Sequence, residues 1–256
     1  MIQITPDQVT PALWALFDAS ALPAGFRVFA ILEGSAAGQI LTDDPANPSW
    51  CAVYEKAFGT IYPGGKFDTP LLEQLIERQR PLGDVLIGLW QDDPLNALLP
   101  GGFQYDGFAI DFLDRPVGEG LDIHLKRLPA DCELRRIDRA LFERSKDRDF
   151  RVSIFGSVEK ALTRGLGFCL MRGDDILCDT YAGPAAQGIM EIGVETMKPH
   201  EGKGYATITC ARLIQACEEL GYRTYWNCAK QNQASAAIAR KLGYRQEREY
   251  RLVGWL

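Results

Sequence analysis

The chain has 256 residues, of which 46% are hydrophobic and 24% charged, and its formal net charge is −6. These proportions are those of an ordinary globular protein. The negative charge argues against nucleic acid or an anionic membrane as the main partner, because both favour a basic surface. The sequence contains no run of about 18 apolar residues, so it predicts no membrane-spanning helix.

The cysteines and histidines predict neither disulfides nor a metal site. The seven cysteines are scattered along the chain, and no two of them form a Cys-x-x-Cys pair. The two histidines, His124 and His200, lie far apart without cysteines at ligand spacing, so no metal is expected. The first residues lack the basic and apolar segments of a secretory signal. We therefore expect a cytoplasmic protein with reduced thiols.

The first half of the chain predicts short elements and no catalytic motif. Thr5 and Pro6 precede apolar residues at helical spacing, which predicts an N-terminal helix. Pro129 follows an apolar run that predicts a strand at residues 121–125, and this predicts a domain boundary between residues 128 and 129. Apolar runs between turn-forming residues predict strands at 26–32, 38–41, 50–54, 59–62 and 84–90.

The second half predicts an alternation of strands and helices in an α/β fold with a mixed sheet. Apolar residues between 206 and 220 recur at helical spacing, and Gly221 is suited to end that helix. Asn232 stands where the N-cap of a further helix belongs. The expected strands are 166–171 and 175–181, joined by a turn at 172–174, and 188–196, 224–228 and 246–255.

Residues 201–206, which read Glu-Gly-Lys-Gly-Tyr-Ala, lie between an expected strand and the long helix. The first N–H groups of a helix have no intrahelical partner, and glycines let an anion approach them closely. Lys203 adds a cation, so the loop suits a pyrophosphate, although a tight turn without a ligand explains the glycines as well. Thr207 excludes a Rossmann fingerprint, and Gly204 directly after Lys203 excludes a Walker loop.

Two segments resemble the GNAT acetyltransferase superfamily. Residues 191–196 (Glu-Ile-Gly-Val-Glu-Thr) and 202–207 (Gly-Lys-Gly-Tyr-Ala-Thr) resemble its fourth strand and acyl-CoA loop. Residues 226–228 (Trp-Asn-Cys), with 232–244 behind them, resemble the next strand and helix. The combination also resembles the zwittermicin A N-acetyltransferase subfamily, which carries an additional N-terminal domain.

The resemblance implies a GNAT-like fold in residues 129–256, and a mixed α/β domain in residues 1–128, with a degenerate GNAT-like half as one interpretation. It implies acetyl-CoA as co-substrate and a small-molecule primary amine as acceptor, with aminoacyl or longer acyl transfer as an alternative. The N-terminal domain is expected to shape the acceptor cleft. The residues that the resemblance assigns to the cofactor are Ile192, Val194, Gly202, Lys203, Gly204, Tyr205, Ala206, Asn232 and Ser235. For Asn232 and Ser235, helix capping alone is an alternative.

The sequence departs from the family pattern at two positions. Glu201 precedes the first glycine, where the family usually has a basic or glutamine residue, and a carboxylate there is unfavourable unless it points to solvent. Ala239 occupies the position of the tyrosine that many members use as general acid. A general acid must then be water, Tyr181 or Tyr244.

Acyl transfer to an amine needs a base, and two strand glutamates are the candidates. Glu191 and Glu195 share strand parity with Gly193, so both carboxylates project from one face beside the expected thioester. Glu191 is expected to lie deeper, and solvent-facing structural glutamates are the alternative interpretation. Weaker candidates for orienting the substrate are Asn227 and Asp179.

A covalent route and a function without catalysis are the alternatives to direct transfer. Cysteine nucleophiles are not expected, because Cys210 and Cys217 lie on the apolar face of the predicted long helix. A non-catalytic acyl-CoA-binding or regulatory module remains the alternative function, since Ala239 and Glu201 weaken the catalytic pattern.

Overall fold

A computed structural model describes residues 1–256, except for the side chain of Leu113. The chain is a mixed α/β protein with two compact units. The first comprises residues 1–111 and 249–256, and the second comprises residues 112–248. This division precedes the predicted domain boundary at residues 128/129, because the segment before Pro129 contains a helix that packs within the second unit.

Twelve strands and nine α-helices make up the described chain, and short 3₁₀ turns connect some of them. The strands are β1 (Ile2–Ile4), β2 (Gln39–Thr42), β3 (Trp50–Glu55), β4 (Thr60–Gly65), β5 (Val85–Trp90), β6 (Tyr105–Asp114), β7 (Glu133–Arg136), β8 (Leu166–Arg172), β9 (Asp175–Ala182), β10 (Ile189–Thr196), β11 (Arg223–Ala229) and β12 (Gln246–Trp255). The helices are α1 (Pro11–Trp14), α2 (Phe26–Leu32), α3 (Thr69–Gln79), α4 (Asp122–Leu125), α5 (Arg139–Arg144), α6 (Arg148–Phe155), α7 (Val158–Arg164), α8 (Tyr205–Glu219) and α9 (Gln233–Lys241).

The strands of the first unit are ordered β1-β2-β3-β4-β5-β12. All neighbours are antiparallel except β4 and β5, which run parallel and are connected through α3. Helix α3 begins at the cap residue Asp68 and buries Leu72, Leu75 and Ile76. A right-handed crossover through a helix is the ordinary connection between two parallel strands.

Two predicted strands are helices in the structure. The strand expected at residues 26–32 is wrong, because this segment forms α2, with every residue buried. A segment buried on all sides shows no helical periodicity, so a short apolar run does not distinguish helix from strand. The strand expected at residues 121–125 is also wrong, because the single-turn helix α4 occupies this segment, and four residues are too few for a period to distinguish helix from strand.

The strands of the second unit are ordered β11-β10-β9-β8-β7, and the parallel pair is β10 and β11. Helix α8 connects them and packs on the face of the sheet that carries Val194. The predicted hairpin turn is confirmed at Gly173, which has a φ of 55°. The predicted helix end at Gly221 is confirmed as well, with a φ of 84°. No helix in the described part of the chain is long and apolar enough to cross a membrane.

Candidate functional site

A gap opens between the two parallel strands of the second unit. Strands β10 and β11 are in register at Ile189 with Arg223, at Met190 with Thr224, and at Glu191 with Tyr225. Strand β10 continues to residue 196 and β11 to residue 229, but the register between them ends at Glu191. Beyond that point, the edge of β10 that faces β11 has backbone groups available for another extended chain.

The backbone of Ile192 and Val194 faces this gap. On its other edge β10 pairs with β9, and the Glu191 carbonyl accepts a hydrogen bond from the Gly183 N–H at 2.8 Å. Successive residues of a strand direct their N–H and C=O groups to opposite edges. The groups of Ile192 and Val194 therefore point away from β9, on the side where β11 has separated.

The glycine loop opens helix α8 at the end of β10. Gly202 and Gly204 have φ angles of 75° and 81°, a conformation that residues with a Cβ rarely adopt. A Cβ placed on either residue would meet no atom within 4 Å apart from the adjacent parts of its own chain, so no other segment packs against the loop at these positions. The first N–H groups of the helix, at Tyr205 and Ala206, have no acceptor within the helix and carry partial positive charge. This open cradle fits a phosphate.

The charged side chains of the loop leave that cradle clear. Lys203 is exposed, and its Nζ donates a hydrogen bond to the Pro199 carbonyl at 3.0 Å. Glu201 is also exposed, as an anion-binding loop requires of a carboxylate at this position. The Tyr205 side chain is buried, and its hydroxyl accepts a hydrogen bond from Arg172 Nη2 at 3.2 Å. The Tyr205 backbone N–H is therefore part of the loop that faces a ligand, while its buried ring packs in the core and holds the start of α8 in place.

The predicted cap of helix α9 is confirmed. Asn232 Oδ1 accepts a hydrogen bond from the Ser235 N–H at 3.1 Å. The Ser235 hydroxyl in turn accepts one from Trp226 Nε1 at 3.0 Å. These contacts fix the start of α9 against β11. A role of Asn232 and Ser235 toward a cofactor stays a prediction.

Glu191, Gly193 and Glu195 project from the face of β10 opposite α8. The Tyr181 ring lies where a Cβ of Gly193 would be, so only glycine fits between the two glutamates. Both glutamates are half-buried, and the expectation that Glu191 lies deeper than Glu195 stays a prediction. The Glu195 side chain, 29% exposed, accepts a hydrogen bond from the ammonium of Lys146, which precedes α6. This hydrogen bond is the largest of the effects that raise the pKa of Lys146.

A buried ion pair lies beside this face. Arg151 of α6 donates to Asp179 Oδ1 at 2.7 Å, and the Ser145 hydroxyl donates to Asp179 Oδ2 at 2.6 Å. Because both carboxylate oxygens are used within the fold and the side chain is fully buried, the proposal that Asp179 orients a substrate is wrong. Burial, followed by the charges of Asp179 and Glu195, raises the pKa of the half-buried Asp147.

The structure excludes Tyr244 as the general acid that protonates the departing thiolate. Its hydroxyl is buried and donates a hydrogen bond to Thr224 Oγ1 at 2.8 Å. Burial raises the pKa of Tyr244 well above its usual range. Tyr181 remains on the glutamate face, with the Arg151 guanidinium 4.8 Å from its ring centre.

The cysteines of α8 are core residues, as predicted. Cys210 and Cys217 are fully buried, and burial raises the pKa of Cys217 to about 12. A thiol with so high a pKa is a poor nucleophile at neutral pH. Among the residues that the structure describes, no cluster of histidine, cysteine, aspartate or glutamate side chains is suited to a metal ion.

The separated strands β10 and β11 lie beside the glycine loop at the start of α8. The sequence model of the GNAT acetyltransferase family matches residues 23–253, which is most of the chain. The chain belongs to the GNAT acetyltransferase family.

Comparisons with individual GNAT proteins agree with this membership. The chain is 27% identical over 126 residues to an uncharacterised N-acetyltransferase of Bacillus subtilis, YdfB, and this match spans about half (48%) of each protein. A GCN5-related N-acetyltransferase-like protein from Streptococcus suis shares the fold with a TM-score of 0.69 and 22% identity, over 89% of this chain and 92% of that one. A tandem GNAT protein from the clavulanic acid biosynthesis pathway has a TM-score of 0.58 and 10% identity, over 98% of this chain and 93% of that one.

Sequence reasoning missed the residues that α5, α6 and their connection bring to this GNAT site. Ser145, Lys146 and Asp147 carry no motif, and they lie far along the chain from Asp179 and Glu195. One signal was available in the sequence. Arg151 stands within the run Phe-Arg-Val-Ser-Ile-Phe, and an arginine among apolar helix residues often indicates a buried carboxylate partner.

Proposed function

We propose that the second unit binds acetyl-CoA between β10 and β11 and transfers its acetyl group to a primary amine of a small molecule. The observation that carries this proposal is the gap after Glu191, which ends at the open glycine loop of α8. The extended arm of acetyl-CoA matches the gap between the strands, and its pyrophosphate matches the glycine loop. Family membership supports acyl transfer as the chemistry.

The residues of this chain fit the two parts of acetyl-CoA. The pyrophosphate would be held by the N–H groups of Gly202, Gly204, Tyr205 and Ala206, with Lys203 as a nearby cation. The arm would be held by the backbone of Ile192 and Val194, as an added strand is. Asn232 and Ser235 would lie toward the distal part of the arm, from the start of α9.

When bound, acetyl-CoA supplies an activated thioester carbonyl. The acceptor must be a neutral amine to attack it, so a base must hold the amine proton. We assign this role to a strand glutamate, Glu195 or Glu191, because both carboxylates lie on one face of the strand that borders the gap. The contact between Lys146 and Glu195 shows that a primary ammonium reaches the Glu195 carboxylate. Water or Tyr181 would protonate the thiolate.

The acceptor we propose is a small metabolite or antibiotic-like amine, as the resemblance to the zwittermicin A N-acetyltransferases suggests. The net charge of −6 favours a cationic acceptor through electrostatic steering. In both units three consecutive antiparallel strands are followed by a helix and a parallel strand, β2 to β5 in the first and β8 to β11 in the second, and we propose that the first unit is a GNAT-like half. The tandem GNAT protein of similar fold supports this proposal.

Calorimetric titration of acetyl-CoA tests the binding site. Gly204→Glu places a carboxylate in the open cradle and should abolish binding, through both bulk and charge. Gly204→Ala is the matched control, since it imposes the same backbone strain without a charge, and it should bind more weakly but measurably. Wild-type protein that is folded and binds no acetyl-CoA would overturn the proposal.

Turnover with an amine substrate tests the base. Glu195→Gln and Glu191→Gln preserve shape and remove the proton acceptor, so the variant that lacks the base should lose roughly a hundredfold or more in kcat. Acetyl-CoA affinity should stay unchanged in both. If neither variant alters the release of CoA while binding persists, a non-catalytic acyl-CoA-binding or regulatory module becomes the better explanation.

A further inference from the structure

The first unit contains an open cleft of about 610 Å³. The cleft lies at the carboxyl ends of β4 and β5, and three segments form its walls, which are residues 16–22, residues 63–67 and residues 93–98. Ligand sites in α/β sheets commonly lie at the carboxyl ends of parallel strands, and their volumes are roughly 300 to 1,000 Å³. The position and the size of this cleft are therefore those of a small-molecule site.

Pro63 limits the pairing of β4 with β5 beside the cleft. The register between the two strands is confined to Thr60 and Leu86, and the Leu86 N–H donates a hydrogen bond to the Gly59 carbonyl at 2.7 Å. In this alternation the N–H of residue 63 is one of those directed toward β5, and proline has no N–H to donate. The last part of β4 therefore has an edge that β5 does not pair with.

The end of β4 presents backbone groups to the cleft. The Lys66 N–H donates a hydrogen bond to the Ser49 carbonyl, next to β3, at 3.0 Å. Successive residues of a strand direct their groups to opposite edges. The N–H and C=O of Gly65 and the carbonyl of Pro63 therefore point away from β3, and both residues line the cleft.

Contacts within the first unit hold the walls in place. Asn96 Nδ2 donates a hydrogen bond to the Trp90 carbonyl at 2.8 Å, and Trp90 Nε1 donates one to the Ser20 carbonyl at 3.2 Å. The Phe17 ring packs directly on β4, because a Cβ on Gly64 would lie 2.6 Å from Phe17 Cε1. The cleft is therefore formed before any ligand arrives, as most small-molecule sites are.

Most of the side chains that line the cleft are apolar, so its walls favour the apolar body of a ligand. They are Leu16, Phe17, Ala21, Leu22, Pro63, Phe67, Pro94, Leu95 and Leu98.

The charged groups of the lining favour a cation. Among the described residues that line the cleft, Asp18 and Asp93 carry negative charge, and Lys66 carries positive charge on an exposed side chain long enough to turn into solvent. Asp18 Oδ1 accepts a hydrogen bond from the Ser20 N–H at 2.8 Å, and Asp93 Oδ1 accepts one from the Leu95 N–H at 2.9 Å. Turns therefore hold both carboxylates, and each has a second oxygen to offer a ligand.

We propose that this cleft binds an amphipathic organic cation, a primary amine attached to an apolar body. The ammonium would pair with the carboxylate of Asp18 or Asp93 and donate a hydrogen bond to the Pro63 carbonyl, while the body would pack on the apolar walls. Phosphorylated ligands are disfavoured, because the carboxylate of Asp68 already caps the adjacent start of α3. The site is separate from the one proposed for acetyl-CoA, and it needs no acyl transfer.

Leucine methyl groups report binding at the cleft directly. Full-length protein with ¹³C-labelled leucine methyl groups is titrated with 2-phenylethylamine and followed by NMR spectroscopy. We expect saturable shifts of Leu16, Leu22, Leu95 and Leu98, which line the cleft, and none of Leu213, which is buried in α8. Absence of shifts at the four cleft leucines with millimolar amine would overturn the proposal.

Two analogues of similar shape test the role of charge. 2-Phenylethanol is neutral, and 3-phenylpropanoate is an anion. The amine should bind about tenfold more tightly than either, which is the combined effect of two exposed carboxylates. High salt should reduce this difference. Equal affinities for the three compounds, or tightest binding of the anion through Lys66, would contradict a cation site.

Paired substitutions test the two carboxylates. Asp18→Asn with Asp93→Asn removes both charges and preserves both turns, because asparagine accepts the same hydrogen bonds. The affinity for the amine should fall about tenfold, and the affinity for 2-phenylethanol should not change. Asp7→Asn with Asp44→Asn is the matched control, since these exposed aspartates of the same unit do not line the cleft. An amine affinity that is unchanged in the first pair would refute the assigned role.

A third substitution tests the location of the site. Ala21 is an exposed residue of the lining, so the indole of Ala21→Trp occupies the cleft without entering the core, and it should abolish the shifts. Ala12→Trp, at an exposed position of α1 outside the lining, should behave like the wild type. Shifts of the cleft leucines that persist in Ala21→Trp would overturn the proposal. Gly204→Glu should bind the amine normally, so this site and the acetyl-CoA site are tested separately.

Discussion

The two units bury the same kind of ion pair at corresponding places. In the first, Arg27 of α2 lies 3.4 Å from Glu55 of β3, and in the second, Arg151 of α6 lies 2.7 Å from Asp179 of β9. In each unit the arginine belongs to a helix that precedes an antiparallel hairpin, which is β2–β3 in the first unit and β8–β9 in the second. The carboxylate belongs to the second strand of that hairpin, which is the third strand counted from the edge of the sheet. Each guanidinium also packs on an aromatic ring, which is that of Phe58 in the first unit and that of Tyr181 in the second.

The units differ at the helix that joins their parallel strands. Helix α8 begins after Gly204 without a side-chain cap, but α3 begins with Asp68, whose carboxylate accepts a hydrogen bond from the Leu71 N–H at 2.9 Å. Pro70 removes one further N–H from the start of α3. A helix start that already holds a carboxylate repels phosphate. The two units therefore differ at this place, because the start of α8 lacks the carboxylate cap that the start of α3 has.

The largest expected effect is a loss of stability when one of the two buried ion pairs is broken. Arg151→Met leaves Asp179 buried without its cation and should lower the free energy of unfolding by about 3–5 kcal/mol. Arg27→Met should do the same in the first unit, through Glu55. Chemical denaturation of both variants measures the effect. Adding Asp179→Leu to Arg151→Met should restore most of the loss, and a single variant as stable as wild type would show that the pair is not a framework element.

The next effect tests the difference at the helix starts. Asp68→Ala removes the cap of α3 and should lower stability by about 1 kcal/mol. Acetyl-CoA affinity and stoichiometry should remain those of the wild type, at one molecule per chain. Asp68→Asn is the matched control, because asparagine caps as well as aspartate does. A second acetyl-CoA bound by the wild type would contradict the assignment of the anion site to α8 alone, whereas one bound only after Asp68→Ala would show that the Asp68 carboxylate is what keeps phosphate from α3.

The smallest effect concerns the charges around the second ion pair. Because the pKa of Asp147 is raised, the folded chain binds this proton more tightly than the unfolded chain, and the ionised form destabilises the fold as pH rises through that pKa. Asp147→Asn should therefore increase stability at neutral pH, by less than about 1 kcal/mol because solvent screens the half-buried carboxylate. The gain should vanish below about pH 4, where the carboxylate is protonated in both states.

Denaturation at several pH values measures this dependence. Asp149→Asn, which removes an exposed carboxylate of the same helix, is the control for the loss of one negative charge. A gain that is the same at pH 4 and pH 7, or one that appears equally in Asp149→Asn, would contradict the sign argued for Asp147.

The sequence predicted the second unit better than the first, and particular residues show why. Gly221 and Asn232 mark the ends of amphipathic helices, whose exposed faces make the helical period visible. Helix α2 has no exposed face, and Arg27 within it pairs with a residue far along the chain, so the segment looked like a buried strand. A short apolar segment that is buried on all sides, such as α2, therefore gives no period that distinguishes a helix from a strand.

The sequence predicted those parts of the candidate site that are formed by backbone groups, but not the contacts between its side chains. The loop at Gly202 and Gly204 and the strand at Ile192 follow from one continuous stretch of sequence. The contacts of Glu195 with Lys146 and of Asp179 with Arg151 join residues that are distant in sequence. No spacing rule connects such residues, so their pairing became visible only in the structure.

The interrupted pairing of β10 makes part of the sheet depend on its ligand. Amides at an unpaired strand edge exchange with deuterium from solvent readily, and those of Ile192 and Val194 belong to this class in the ligand-free protein. A bound arm that completes the sheet protects them, by a free energy that grows as RT ln(1 + [L]/Kd). If the unit binds acetyl-CoA as proposed, its resistance to local unfolding and to proteases that attack opened strands rises and falls with the supply of acetyl-CoA.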